Sequence, residues 1–143
     1  MTVTAERDLL ATDVMSSPIA AIDEHSSIWQ AGDLMLGQRV HHVVVVSGSH
    51  CLGVLTDRDI LEAWHRGPAA LRATPVRELI AMRTACVLPD ATLKQVAYVM
   101  NVNGVDAVPV VDGAGNAIGI ITGRDVIRAV ALHGVVVPAD RPV

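Results

Sequence analysis

Gly53-Val54-Leu55-Thr56-Asp57-Arg58-Asp59-Ile60-Leu61 returns as Gly119-Ile120-Ile121-Thr122-Gly123-Arg124-Asp125-Val126-Ile127, a shift of 66 positions. Glycine, two aliphatics, threonine, arginine, aspartate and two more aliphatics keep their order. Only Asp57 against Gly123 changes character. A long period seen twice fits two copies of a small α/β unit, because a solenoid needs about three or more repeats to be stable.

The likeness extends outward from this segment. Ser27 to Met35 aligns with Thr92 to Met100, and Val43-Val44-Val45-Val46-Ser47-Gly48 with Val108-Pro109-Val110-Val111-Asp112-Gly113, both at a shift of 65. The two shifts differ by one residue within the turn, between Gly48 and Gly53 in the first copy and between Gly113 and Gly119 in the second, which is one residue longer. Surface turns tolerate such insertions. Further upstream, Ala11-Thr12-Asp13-Val14 resembles Ala73-Thr74-Pro75-Val76 at a shift of 62, which predicts spacers of unequal length.

Each copy reads strand, helix, strand, strand, helix. Ile19 to Ile22 and Cys86 to Leu88 are short apolar runs, expected as strands. Leu93, Val96, Ala97 and Met100 recur at helical spacing, and Ile28, Ala31, Gly32 and Met35 repeat that face. Ser27 with Gln30, and Thr92 with Gln95, form capping boxes. Gly32 either admits a close neighbour or is simply tolerated. Val43 to Val46 is a β-branched run suited to a strand covered on both faces. Ala107 to Val111 is its counterpart, with Pro109 suggesting a strand start or edge. Asp112 to Asn116 is a hairpin turn leading to Ala117 to Ile121. The closing helices start near Thr56 and Thr122, and the first stops around Arg66-Gly67-Pro68. Thr74-Pro75 opens a short helix through Ile80. The expected division is repeat 1 over 8–67, a linker over 68–74, repeat 2 over 75–134, and a tail over 135–143 with no assigned structure.

With 143 residues, 51% of them hydrophobic, the chain can build one core or two half-domains sharing one. Phe is absent and Trp29, Trp64 and Tyr98 are the aromatics, so the core is aliphatic. A net charge of −4 without a basic run argues against nucleic acid as the main partner. No apolar stretch approaches the ~20 residues of a membrane helix, and the start lacks a signal-peptide apolar region. Cys51 and Cys86 are expected as buried free thiols, which points to a cytoplasmic setting. Neither has an evident base beside it, so no catalytic nucleophile is assigned. Among His25, His41, His42, His50, His65 and His133, no ligand spacing for a metal stands out, and adjacent His41 and His42 point to opposite faces of a strand. Trp29, on a helix flank, reads as core or as a subunit contact.

The chemistry, if any, sits in G-x-x-T-x-R-D at a strand-to-helix junction. A helix N-terminus offers free N–H groups and partial positive charge, which suits phosphate. The acceptor-only carboxylates of Asp59 and Asp125 could take both hydroxyl protons of a ribose. Arg58 and Arg124 match phosphate oxygens in geometry. The bland alternative is that T-x-x-D is a helix cap and no more. Duplication copies a cap as readily as a site, so the repetition does not decide between them.

The whole ordered set, occurring twice over about residues 8–133, resembles a tandem pair of cystathionine-β-synthase (CBS) domains, a Bateman module. The opening Asp13-Val14-Met15-Ser16-Ser17-Pro18, the Val108-Pro109-Val110-Val111-Asp112-Gly113 strand and turn, and both G-x-x-T-x-x-D segments carry the resemblance. It implies an α/β (α+β) fold of two β-α-β-β-α repeats packed sheet to sheet with pseudo-twofold symmetry. It also implies a regulatory module, not an enzyme, that needs no cofactor or metal and binds an adenosine-type ligand between its repeats. AMP, ADP and ATP are the first candidates, S-adenosylmethionine and NAD the further ones. By the resemblance, Thr56 and Asp59 serve one cleft, Thr122 and Asp125 the other. Pro18, Ile19, Ala20, His42, Val43 and Val44 would line the base pocket of one, and Thr84, Ala85, Cys86, Ala107, Val108 and Pro109 that of the other. A homodimer or a separate regulated protein would receive the signal. Val44 departs from the family's usual proline, and Gly123 removes a side chain near the phosphate position.

Overall fold

The computed structural model describes residues 6–80 and 85–134, and the backbone of 136–138. It is a mixed α+β molecule of small sheets and, among the described residues, five α-helices. The chain runs β1 (Glu6–Asp8), α1 (Ala11–Val14), β2 (Ala21–Asp23), α2 (Ile28–Gln38), β3 (His42–Ser47), β4 (His50–Thr56) and α3 (Asp57–Arg66). Two 3-10 turns follow, Pro68–Ala70 and Val76–Leu79. Then come α4 (Leu93–Asn103), β5 (Ala107–Val111), β6 (Ala117–Thr122), α5 (Gly123–His133) and β7 (Val136–Pro138).

Local chemistry sets the long elements. The Ser27 hydroxyl accepts from the Gln30 N–H at 3.1 Å while the Gln30 side chain accepts from the Ser27 N–H at 2.8 Å. Thr92 and Gln95 do the same at 3.1 and 2.9 Å. Ala31, Met35, Val43, Val45 and Leu55 then form the core of the first unit, and Val96, Met100, Val108, Val110 and Ile121 that of the second. Val44 and Pro109 are also fully buried. Alternation along a strand turns them away from those helix-side cores, into the layer where the two sheets meet. In that layer β4 lies against β5 and β3 against β6.

The halves are related by an approximate twofold. The Cys51 N–H donates to the Gly115 carbonyl at 2.9 Å, and the Ala117 N–H to the Ser49 carbonyl at 3.0 Å. These bonds exchange under the 66-residue shift, so the pseudo-axis passes between the two hairpin turns. Near the opposite ends of the hairpins, a His42 ring nitrogen lies 3.1 Å from the Asp106 carboxylate.

The segments leading into each unit change places. The N-terminal segment bonds to the second unit: Ala11 N–H to the Ala91 carbonyl at 2.7 Å, Leu93 N–H to the Leu9 carbonyl at 2.7 Å, and Thr12 N–H to the Pro89 carbonyl at 3.2 Å. The linker bonds to the first unit: Val76 N–H to the Ser26 carbonyl at 2.7 Å, Ile28 N–H to the Thr74 carbonyl at 3.0 Å, and Arg77 N–H to the Glu24 carbonyl at 3.2 Å. Each bond maps onto its counterpart at a shift of 65. This corrects the expected shift of 62: Ala11 corresponds to Val76, and the spacers are equal.

Other expectations change as well. The first strand covers Ala21–Asp23, not Ile19 to Ile22. Cys86 to Leu88 is reduced to a single bridge between Val87 and Val110. Leu88 is followed by Pro89, which has no N–H to continue a ladder. Pro109 sits inside β5 opposite Ile120, not at its start. Ile120 exchanges its own bonds with Ser16, at 2.9 and 3.2 Å, so β6 asks nothing of the proline nitrogen. The segment read as an unstructured tail contains β7, antiparallel to β1. Gly32 has no atom within 4 Å of where a Cβ would lie, so the close-neighbour reading fails. Trp29 is 43% exposed, with the Arg72 guanidinium 4.0 Å above its ring, so it is not a core residue.

Asp13 anchors the exchanged N-terminal segment. Its carboxylate accepts from the Arg7 guanidinium at 2.6 and 3.2 Å and from the Leu10 N–H at 2.8 Å. The Arg7 hydrogen bond holds Asp13 below the usual carboxylate range. A depressed folded-state pKa stabilises above the unfolded value of about 3.9 and stops doing so as pH falls through the folded value. Asp13→Asn is therefore expected to melt below the parent at pH 7, with the gap closing once the pH drops under about 4. Melting curves from pH 7 to 2.5 check this; a gap independent of pH would contradict the ion-pair account.

Candidate functional site

Thr56 ends β4 and caps α3; Thr122 ends β6 and caps α5. Register puts Thr56 opposite His42 and Thr122 opposite Ala107, the first residues of β3 and β5. The Ala20 carbonyl accepts from the Val44 N–H at 2.8 Å, which brings the 18–20 loop beside the start of β3. In the second unit the Val87 N–H donates to the Pro109 carbonyl at 3.0 Å, which brings Ala85 and Cys86 beside β5. Pairing thus gathers the expected residues into two corresponding groups. Val43 and Val108 are exceptions in orientation, since both side chains pack into the helix-side cores. Thr84 lies outside the described residues.

Both T-x-x-D segments are complete capping boxes. The Asp59 N–H donates to the Thr56 hydroxyl at 3.1 Å and the Thr56 N–H to the Asp59 carboxylate at 2.9 Å. In the second unit the matching distances are 3.3 and 2.9 Å, and the Thr122 hydroxyl also donates to Asp125 at 3.1 Å. All four side chains stay partly exposed. Each carboxylate retains acceptor capacity beyond its cap, because two oxygens carry about four lone-pair sites.

The two helix starts differ in charge. On α3, Asp57 pairs with a His41 ring nitrogen at 2.8 Å and Arg58 with Glu62 at 3.2 Å. On α5 the same positions hold Gly123, Arg124 and Arg128. The Arg124 side chain makes no hydrogen bond or ion pair among the described residues. Over these four positions α3 carries Asp57, Arg58, Asp59 and Glu62, and α5 carries Gly123, Arg124, Asp125 and Arg128. The formal sums are −2 and +1.

Hollows on the outer, helical side belong to a different feature. One of about 660 Å³ lies between α2 and α3, lined by Trp29, Leu36, Leu61 and Trp64 among others. Another of about 560 Å³ lies between α4 and α5, with Met100, Val105, Val126 and Ile127. Neither includes the capping threonines or aspartates. Sequence reasoning did not single out these grooves; the exposed pairs Trp29 and Leu36 on α2 and Leu61 and Trp64 on α3, each at helical spacing, were the available signal.

The architecture has a match among known families: the model of the CBS domain fits residues 11–66 and again 76–132. The chain belongs to the CBS domain family. The CBS domain pair of protein MJ0100, solved with 5′-methylthioadenosine and S-adenosyl-L-methionine, superposes with a TM-score of 0.79 at 23% identity, covering 87% of this chain and 98% of that one. CBSX2, solved in complex with AMP, gives 0.74 at 22% identity over 86% and 96%. At these identities the likeness concerns the fold. A homoserine O-acetyltransferase of Methanococcoides burtonii is 31% identical over 119 residues, 82% of this chain but 23% of that protein. The CBS pair thus spans about a quarter of that curated relative's length. No described helix is long and apolar enough to cross a membrane, and no described group of three or more His, Cys, Asp or Glu could hold a metal ion.

Proposed function

We propose that this CBS pair is a non-catalytic cytoplasmic regulatory module that binds an adenosine-type nucleotide of the AMP, ADP or ATP class between its repeats. The observation that carries the reading is the convergence, by strand register, of Thr122 and Asp125 with Ala107 and the 85–86 segment, repeated in the first unit by Thr56, Asp59, His42 and the 18–20 loop. Adenosine ligands in two solved CBS pairs of the same fold support it. The charge difference supports the second cleft as the phosphate's, since Arg124 is unengaged there among the described residues and the formal sum is positive. The first cleft, whose helix start carries the additional Asp57, suits an adenosine without a phosphate. The signal passes to a second copy or a regulated protein through the exposed helical face, since apolar patches of this kind mark interaction surfaces.

The capping boxes favour a second reading, in which the module binds no ligand and acts as an interaction domain. Calorimetric titration with AMP, ADP, ATP, S-adenosylmethionine and NAD separates the two. On the first reading AMP binds, and at 100 times its Kd stabilises the fold by about 2.7 kcal/mol. Thr122→Ala then loses both that response and about 1 kcal/mol of cap. On the second, only the cap loss is seen, and no ligand gives heat at millimolar concentration.

A further inference from the structure

The two thiols occupy non-equivalent positions of the two units, and neither belongs to a cap or a core. Cys51 lies on β4 opposite Val46, and directly opposed residues share a face of the sheet. Val43 and Val45 point into the helix-side core of the first unit. The register shifts between Val45 and Val46, but Leu52 still packs on that core, so Cys51 beside it, with Val46 opposite, turns to the face that meets the second sheet. The Cys51 N–H reaches across to the Gly115 carbonyl at 2.9 Å. Cys86 precedes Val87, which points into the helix-side core of the second unit. By the same alternation Cys86 points the opposite way, toward the first unit. Val87 runs beside β5, and β5 lies against β4. Two sulfur-bearing side chains therefore enter one inter-sheet layer from opposite units. Cys86 is exposed, not buried as its apolar context predicts, and Cys51 is half-buried. Burial pushes the Cys51 thiol above its ordinary value, and the neighbouring Cys86 adds to the rise.

We propose that Cys51 and Cys86 form a reversible disulfide that staples the two units together at the mouth of the second cleft. The oxidant is a low-molecular-weight disulfide such as oxidised glutathione. The exposed Cys86, as thiolate, attacks one of its sulfurs and expels one thiolate. Cys51 then loses its proton and displaces the other. The protein gives up two protons and two electrons, and the oxidant becomes two thiols. Oxidation at Cys86 also alters a residue placed at the base pocket. That consequence rests on the nucleotide reading above; the staple itself does not.

The test uses the full chain without nucleotide. After incubation with oxidised glutathione, non-reducing mass spectrometry is expected to show a single chain lighter by two hydrogens, with the Cys51 and Cys86 peptides joined. The melting temperature rises, since the cross-link restricts the unfolded chain. Dithiothreitol reverses both, and Cys51→Ser or Cys86→Ser abolishes both. Persistent free thiols, glutathione adducts without a joined peptide, or links between chains would overturn the staple. Titration of AMP into the reduced and oxidised forms then reads the second cleft, with affinity expected to fall at least tenfold on oxidation. Equal binding by both forms would overturn the regulatory half. Absence of AMP binding in either form would count against the nucleotide reading and leave the mass readout to decide the staple.

Discussion

Ile121→Ala is expected to lower stability by about 2–5 kcal/mol, the range for truncating a large aliphatic side chain in a tight core. Ile121 is fully buried against Ala11, Val87, Val96, Met100, Val108 and Val110. These residues come from the N-terminal segment, the bridge beside β5, helix α4 and β5 itself, so no single neighbour can move in to fill the gap. Ile121 also precedes Thr122, the cap of α5, and the loss extends to the candidate site. Urea unfolding should show a lower midpoint at an unchanged slope, the mark of altered stability without altered compactness. A loss under about 1 kcal/mol would mean that the second unit is not packed as described.

Gly119→Val should destabilise by about 1–3 kcal/mol or more, through overpacking and not through backbone strain. A Cβ at Gly119 would collide with the Met15 Sδ and lie 2.9 Å from its Cγ and 3.1 Å from its Cβ. The far end of a methionine can swing aside, but its Cβ cannot without moving the segment that carries it. That segment is pinned by the paired bonds between Ser16 and Ile120. Adding Met15→Ala removes two of the three obstructing atoms and should return much of the lost stability. A double-mutant cycle measures the coupling, expected above 0.5 kcal/mol for residues in direct contact. Additive effects would show that the N-terminal segment does not lie on β6.

The glycine of G-x-x-T is legible in the sequence as a repeated position, but its neighbour is not. Met15 stands more than a hundred positions away, in a segment read for its upstream match and its family resemblance, neither of which names a partner strand. The legible features are local: hydroxyl-to-amide caps at Ser27 and Thr92, apolar spacing on α2 and α4, and turn residues from Asp112 to Asn116. Each depends on residues within a few positions of one another. The exchange of leading segments depends on backbone bonds between remote stretches, and backbone groups leave no mark in a sequence. For the same reason β7 was invisible, since its pairing with β1 joins the two ends of the chain. At the candidate site the residue types were readable, whereas the inward turn of Val43 and Val108 follows from strand register.

The traded leading segments bear on how such a molecule could arise. A chain ending before the linker would leave Ala31, Met35, Val43 and Leu55 without Val76, and so with an open core. A solitary ancestral unit could close that gap only by lending its own leader to a twin and borrowing the twin's in return. Gene fusion would then have fixed within one polypeptide a reciprocal loan that began between two.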